Sequence, residues 1–175
     1  MTRTHEQEHG RISVGILTIS DKASRGERDD RGGPTIREIV EAAGARVAAY
    51  SVIPDDQPEI AAALTRLVDR ENLDVVFTTG GTGLAPRDVT PQVTLELIDY
   101  EVPGLAEAMR AASLAKTPAA MLSRAVAGVR RRSLIVNLPG SPKGVRECLE
   151  VIMPAIPHAI STLRAEVGEH RAPTS

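Results

Sequence analysis

The chain has 175 residues and a net charge of −2, and 42% of its residues are hydrophobic but only 2% are aromatic. The weak charge and the scarcity of aromatic side chains argue against a nucleic-acid partner, because neither an electrostatic footprint nor a stacking platform is available. Cys148 is the only cysteine, which excludes an internal disulfide and cysteine-rich metal sites. No apolar run has membrane-spanning length and Met1–Gly10 lacks a signal-peptide core, so we expect a cytoplasmic protein without a membrane partner.

Strands and helices alternate over roughly the first half of the chain. Ile12–Ser20 is apolar on both faces, as is typical of a central strand covered on both sides. A polar loop over residues 21–33 follows, and Pro34 and Gly44 are the start and stop signals of an amphipathic helix. The pattern continues with a strand at Arg46–Ile53, a helix around Ile60–Val68 and a strand at Asp74–Thr79. This alternation predicts an α/β fold with a mostly parallel central sheet between helix layers.

The second half is predicted to contain two helices, two further strands and a final helix. The expected elements are helices at Thr90–Ile98 and Gly104–Leu114, and strands at Ser123–Val129 and Ser133–Leu138 around a solvated turn at Arg130–Arg132. The final helix should start after Pro142 and run towards Leu163, and Pro154 and Pro157 should kink or divide it. We predict one domain, at about residues 11–164, with frayed ends such as the polar tail Gly168–Ser175.

The segment Thr78–Pro91, TTGGTGLAPRDVTP, carries the strongest indication of function. Its three glycines follow a buried strand, so the backbone can approach a ligand closely and direct several N–H groups at an oxyanion such as phosphate. Asp88 is a hard oxygen ligand suited to Mg²⁺, and Thr90 with Pro91 predicts a helix start with a capping hydroxyl. The pattern indicates a site for phosphate and a metal ion.

Other polar residues follow the remaining predicted strands, and ligands of open α/β sheets bind beyond the carboxyl ends of strands. The loops at these ends contain Ser20–Asp21, Pro54–Asp56, the glycine loop with Asp88, and Asn137–Pro142. Carboxylates beside phosphate-binding N–H groups require a cation between them. Mg²⁺ typically binds through one or two carboxylates plus substrate phosphates, which is the chemistry that these loops could assemble.

Simpler structural roles remain open for several of these residues. Asp55 and Asp56 stand beside two prolines and are at least as typical of a turn as of a site. Asp21 could cap a helix, and Asn137 could be an ordinary turn residue. The glycine segment matches neither a P-loop nor the dinucleotide fingerprint, which expects a small residue where Pro86 stands. The four histidines show no ligand spacing, so we assign them no role.

Five segments form a recognisable set: Ile16–Ser24, Ile53–Gln57, Thr78–Pro91, Met121–Arg124 and Asn137–Lys143. In this order they resemble the molybdenum-cofactor biosynthesis family that includes bacterial molybdopterin adenylyltransferases. The resemblance implies a three-layer α/β/α sandwich, usually assembled as a trimer and in one subgroup as a hexamer. It also implies Mg²⁺-dependent transfer of AMP from ATP to molybdopterin, which gives adenylyl-molybdopterin and pyrophosphate. A molybdate-insertion protein is the implied recipient of the product.

The resemblance also implies roles for individual residues. The family's two key carboxylates, which act in catalysis and hold the metal ion, fall on Asp55 and Asp88. Arg87 and Lys143 are expected equally on a solvated surface or near the phosphates. The alternative functions are a non-catalytic molybdopterin carrier or scaffold, and a different nucleotide hydrolase on the same fold. The residues that match segments lining the family's pocket are Ser20, Asp21, Gly80, Gly81, Thr82, Gly83, Ser123, Asn137, Pro139, Gly140 and Ser141.

Overall fold

Six strands within residues 10–165, the part that the computed structural model describes, form one mixed sheet. The strands are β1 (Ser13–Ile19), β2 (Arg46–Ile53), β3 (Val75–Thr79), β4 (Tyr100–Glu101), β5 (Ala127–Arg130) and β6 (Ser133–Leu138). Their order is β2-β1-β3-β6-β5-β4, in which the first four are parallel and β5 is antiparallel to both neighbours. The predicted α/β class with a mostly parallel sheet is confirmed.

Helices connect the strands, and all but the first begin where the sequence signals predict, to within a few residues. They are α1 (Asp21–Ser24), α2 (Gly32–Ala42), α3 (Gln57–Thr65), α4 (Thr90–Leu97), α5 (Pro103–Leu114), α6 (Pro142–Ile152) and α7 (Ile156–Ala165). A π-helical turn at Arg66–Arg70 extends α3, and a 3₁₀ turn at Met153–Ala155 divides α6 from α7, as the prolines predict. A second 3₁₀ turn spans Pro118–Leu122. No helix among the described residues is long and apolar enough to cross a membrane.

Both faces of the sheet are covered because the central strands are apolar on both sides. Ile16 and Phe77 pack with α2, α5, α6 and α7 on one face, whereas Leu17 and Val76 pack with α3 and α4 on the other. All four side chains are fully buried. Successive side chains of a strand point to opposite faces, so a strand between two helix layers needs apolar residues at every position. The three-layer α/β/α arrangement is therefore the observed one.

Several local predictions differ from the structure. The stretch 21–33 is not one loop: Ser20 caps α1 by accepting a hydrogen bond of 3.2 Å from the N–H of Ala23, and α2 begins at Gly32, two residues before Pro34. Strand β5 begins only at Ala127, and Ser123 precedes it as the C-cap of the 3₁₀ turn. The short strand β4 was not predicted.

The turn at Arg130–Arg132 is exposed at Arg131 and Arg132, as predicted, whereas Arg130 is half-buried. Arg130 donates hydrogen bonds of 3.0 and 2.6 Å to the two carboxylate oxygens of Asp69, and Arg131 forms a second ion pair with the same carboxylate. The turn is thereby fastened to the π-helical turn after α3. The expected fraying of Gly168–Ser175 concerns residues outside the described range.

Candidate active site

Two neighbouring cavities open where ligands of α/β sheets bind, beyond the carboxyl ends of the parallel strands. The polar cavity has a volume of about 890 Å³, and Asp55 and Asp88 both line it. The apolar cavity, of about 350 Å³, is lined by α5, α6 and the 3₁₀ turn, and small or apolar residues such as Met109, Ala120 and Cys148 contribute much of its surface. Ser141 lines both cavities and forms part of the wall between them.

The predicted site residues divide between these two cavities. Asp21 lines neither, and its carboxylate accepts two hydrogen bonds of 2.7 Å from the guanidinium of Arg87. Lys143 lines the apolar cavity. The polar cavity holds Ser20, Asp55, Gly80, Gly81, Asp88, Gly140 and Ser141, and the apolar cavity holds Thr82, Gly83, Ser123, Asn137, Pro139 and Ser141.

The first two glycines of the loop have backbone conformations that other residues rarely adopt. Gly80 has a φ angle of +102° and Gly81 a φ angle of +64°. A Cβ atom at position 80 would lie 2.2 Å from the carbonyl oxygen of Ile19, and one at position 81 would lie 2.3 Å from Thr90 Oγ1. Both conformation and space therefore require glycine here.

Thr90 holds the first part of the glycine loop through two carbonyl groups. Its hydroxyl donates to the carbonyl of Gly80 at 3.0 Å, and its N–H donates to the carbonyl of Gly81 at 3.2 Å. The predicted capping role of the Thr90 hydroxyl is therefore wrong, and the N-cap of α4 is Val89, without a side-chain cap bond. The hydroxyl shapes the loop instead of the helix.

Arg124, which the sequence analysis did not single out, holds the second part of the loop. Its N–H donates to the carbonyl of Thr82 at 3.0 Å, its Nε donates to the carbonyl of Gly83 at 2.8 Å, and its Nη2 donates to the carbonyl of Asp88. The carbonyls of residues 80–83 are thus all hydrogen-bonded, whereas the N–H groups of residues 81–84 have no acceptor within residues 10–165. A run of unpaired N–H groups is the arrangement that binds oxyanions.

The carboxylates of the polar cavity differ in electrostatic environment. Burial raises the pKa of Asp55, and the negative charges of Asp21 and Asp88 act in the same direction. The hydrogen-bonded guanidinium of Arg87 lowers the pKa of Asp21. Asp88 Oδ2 accepts a hydrogen bond of 2.9 Å from the N–H of Ala85. A cation in this cavity would relieve the unfavourable ionisation of Asp55.

The residues present fit a Mg²⁺ ion, the metal that the sequence implies. Asp55 and Asp88 line the same cavity and lie close enough for their charges to interact. The described part of the chain contains no group of three or more His, Cys, Asp or Glu side chains able to hold a metal. Two carboxylates completed by substrate phosphates and water are a typical environment for Mg²⁺.

Asn137 supports the wall of the apolar cavity from inside the protein. It is fully buried, and its Nδ2 donates hydrogen bonds of 3.0 Å to the hydroxyls of Thr78 and Thr94. Both amide protons are therefore used within the fold. Lys116 and Glu147, which form an ion pair of 3.3 Å, supply charge to the same cavity.

Asp30, another residue that the sequence analysis missed, lines the polar cavity and fastens the start of α2 to the sheet. Its carboxylate accepts hydrogen bonds from Thr18 Oγ1 at 2.7 Å, from the N–H of Gly33 at 3.1 Å, and from the Tyr50 hydroxyl. Burial and this carboxylate raise the pKa of Tyr50 to about 12. The sequence feature that could have indicated this role is the acidic pair Asp29–Asp30 just before a predicted helix.

The fold and these cavities define an α/β protein with two cavities at the carboxyl edge of its sheet, where proteins of this class bind ligands. The family described as "Probable molybdopterin binding domain" matches residues 15–158. The chain belongs to this family.

Individual proteins of known sequence and structure are also similar to this chain. A molybdopterin adenylyltransferase of Helicobacter pylori strain J99 is 42% identical over 87% of this chain and 88% of its own length. The molybdopterin adenylyltransferase of Escherichia coli K12 is 44% identical over 82% of this chain and 75% of its own. The crystal structure of the molybdopterin biosynthesis enzyme MoaB of Thermus thermophilus is similar, with a TM-score of 0.83 and 58% identity, and covers 87% of this chain and 96% of that one.

Proposed function

We propose that this protein is a molybdopterin adenylyltransferase, which transfers AMP from ATP to molybdopterin. The observation that carries the proposal is the pair of adjoining cavities that share Ser141. The polar one offers two carboxylates and the unpaired N–H of Gly81 for nucleotide phosphates with a metal ion, and the apolar one offers a pocket for the pterin, with Thr82 and Gly83 of the same loop in its lining. The relatives that bear this name match most of the chain.

The reaction needs few reactive groups from the protein. A terminal phosphate oxygen of molybdopterin attacks the α-phosphorus of ATP, the bond from that phosphorus to the β-phosphate oxygen breaks, and pyrophosphate leaves. The attacking phosphate is already an anion near neutral pH, so no general base is required. Catalysis then consists of positioning and of neutralising phosphate charge. The absence of histidine from the described residues that line both cavities agrees with this chemistry.

Each group of site residues has a distinct part in the proposal. The N–H groups of residues 81–84 bind nucleotide phosphates, and Asp55 and Asp88 hold Mg²⁺. The ion, when bound, neutralises phosphate charge as it builds up on the leaving group. The turn at Gly140–Ser141, which precedes α6, receives a further phosphate oxygen at the wall between the cavities. Arg87 is committed to Asp21, so its part is to hold that loop.

The wider expectations belong to the same proposal. We propose a trimer, a cytoplasmic location and transfer of the adenylylated product to a molybdate-insertion protein. Light scattering coupled to size-exclusion chromatography measures the assembly. The mass of a trimer supports the proposed assembly. The mass of a monomer or a hexamer contradicts the assembly but has no bearing on the proposed reaction.

The decisive experiment uses ATP labelled at the α-phosphate, molybdopterin and Mg²⁺ with the purified protein. We expect label on the pterin, and loss of roughly a hundredfold or more in turnover for Asp88→Asn. Asp56→Asn is the matched control, because Asp56 caps α3 through a bond of 3.2 Å from the N–H of Glu59 and lines neither cavity. Tight molybdopterin binding without label transfer would indicate a carrier or scaffold instead. Label released from ATP without pterin would indicate a hydrolase.

A further inference from the structure

The side chain of Arg124 lies behind the glycine loop and contacts no cavity. Its neighbours Ser123 and Ala125 line the apolar cavity, but Arg124 lines neither. Its side chain is half-buried, and its guanidinium donates to the carbonyls of Gly83 and Asp88. Arg124 therefore acts on the site through the backbone of the loop, not through direct contact with a ligand.

The carbonyls that Arg124 fixes determine where the neighbouring N–H groups point. In a trans peptide the C=O of one residue and the N–H of the next point in opposite directions. The bond of 2.8 Å from Arg124 Nε to the Gly83 carbonyl therefore turns the N–H of Leu84 away from Arg124. The backbone bond to the Thr82 carbonyl does the same for the N–H of Gly83. Both N–H groups are among those without an acceptor in the described residues.

The same guanidinium fixes both ends of an exposed segment. Residues 84–87 are exposed, and Gly83 and Asp88, which flank them, are the two residues whose carbonyls the guanidinium binds. Inside the segment, Ala85 and Asp88 are joined by hydrogen bonds of 2.9 Å in both directions. The place of the Asp88 carboxylate therefore depends on the anchor that Arg124 supplies.

Arg124 also contributes positive charge that no carboxylate offsets. Its acceptors are carbonyl oxygens, and it forms no ion pair within residues 10–165. Arg87, by contrast, is neutralised by Asp21. From behind the loop, the charge of Arg124 therefore adds to the attraction that the dipoles of the loop N–H groups exert on an anion.

We propose that Arg124 is a positioning residue for phosphate binding. Its side chain, through the carbonyls of Gly83 and Asp88, holds the end of the glycine loop in the form that turns the N–H of Leu84 away from Arg124 and places the carboxylate of Asp88 in the polar cavity, where nucleotide phosphates would bind. The identity of the ligand rests on the function proposed above, whereas the positioning role can be tested with simple phosphate probes.

The test measures the affinity of the α,β-methylene analogue of ATP and of inorganic pyrophosphate, each with Mg²⁺, by titration calorimetry. For Arg124→Ala we expect both affinities to fall about tenfold or more, because two charge-assisted bonds to the loop are lost. Arg124→Lys should recover only part of the loss, since an ammonium keeps the charge but lacks the fork that reaches two carbonyls. Millimolar guanidinium should partly restore binding to Arg124→Ala.

A matched control separates positioning from general stability. Arg130 also donates to a carbonyl, that of Leu97 at 2.8 Å, and forms an ion pair with Asp69, but it lies at the opposite edge of the sheet. Arg130→Ala should lower the melting temperature without changing either affinity. In turnover assays, Arg124→Ala should raise KM for ATP more than KM for molybdopterin.

Four outcomes overturn the proposal: unchanged affinity in folded Arg124→Ala, an equal loss of affinity in Arg130→Ala, full recovery in Arg124→Lys, or wild-type protein that binds neither probe. The third result would mean that charge alone matters. If wild-type protein binds pyrophosphate but transfers no label from ATP to molybdopterin, the adenylyltransferase proposal is contradicted. The variants' affinities for pyrophosphate would still decide the role of Arg124.

Discussion

Asp21 and Asp55 exchange hydrogen bonds between backbone and carboxylate: the N–H of Asp21 donates to Asp55 Oδ2 at 2.8 Å, and the N–H of Asp55 donates to Asp21 Oδ1 at 3.1 Å. These bonds join the loops that follow the parallel neighbours β1 and β2. The two acids nevertheless titrate apart, because Arg87 lowers the pKa of Asp21 while burial raises that of Asp55. When the pH falls, Asp55 is therefore protonated before Asp21.

The rate of turnover should fall on acidification, because Asp55, whose pKa is raised, becomes protonated. A protonated Asp55 cannot hold a cation, so we expect kcat/KM to rise with pH on an acidic limb, and the metal competes with the proton for this carboxylate. The acidic limb should therefore move to lower pH as the Mg²⁺ concentration is raised, and pH–rate profiles at two Mg²⁺ concentrations measure the change. Asp21→Asn should keep this behaviour, and a limb whose position does not depend on Mg²⁺ would contradict the assignment.

The two acids should also affect stability in opposite directions. The folded-state pKa of Asp55 is raised, so the stability that it contributes when protonated is lost as the pH rises through that value. At neutral pH, Asp55→Asn should therefore keep or raise the melting temperature while abolishing turnover. Asp21 has a lowered pKa, so its contribution is present at neutral pH and is lost on acidification. Asp21→Asn should lower the melting temperature at neutral pH, and a drop of equal size in Asp55→Asn would refute this contrast.

Gly80→Ala should destabilise the fold by at least about 2 kcal/mol, because the new side chain meets a backbone carbonyl in a left-handed conformation. Gly104→Ala is the matched control, since a Cβ atom there would have nothing within 4 Å. In helix α5 this change should be neutral or stabilising by about 0.5–1 kcal/mol. Urea unfolding of both variants gives the comparison. Equal stability of the two proteins would show that the loop does not need glycine at position 80.

Asn137→Ala should act on stability more than on substrate binding. Removing the amide leaves the buried hydroxyls of Thr78 and Thr94 without their donor, which should cost about 1–3 kcal/mol in the free energy of unfolding. Ser123→Ala should do the reverse, with little loss of stability and a higher KM for molybdopterin, because Ser123 is only half-buried in the same cavity. Chemical denaturation and initial rates on both variants distinguish the two roles.

The parts of the fold that followed from the sequence are those fixed by local pattern. The strand at Arg46–Ile53 and the division of the last helix at Pro154 needed only alternation, apolar runs and proline chemistry. The glycine loop could also be predicted, because a backbone position with positive φ favours glycine and so can be recognised from the residue type alone. Such features depend on residues that are close together along the chain.

The parts that did not follow depend on distant partners. Arg124 and Gly83 lie 41 residues apart, and nothing in the segment around Arg124 indicates that its acceptors are loop carbonyls. Thr90 shows how a local rule fails: its hydroxyl could have capped α4, but the carbonyl of Gly80 is the acceptor that the fold brings to it. The division of the site into two cavities is likewise a property of packing between α5, α6 and the sheet.

The glycine loop leaves the sheet from β3, and the Pro139–Ser141 turn leaves it from β6, which is the adjacent parallel strand. Thr79 also donates a bond of 2.7 Å to the carbonyl of Pro139, so the two loops start from a shared rigid base. Neighbouring strands lie about 4.8 Å apart, and that backbone spacing is independent of side chains. Substitutions in either cavity can therefore alter which molecule is held there, while the spacing between the two loops that would hold the reacting phosphates stays constant.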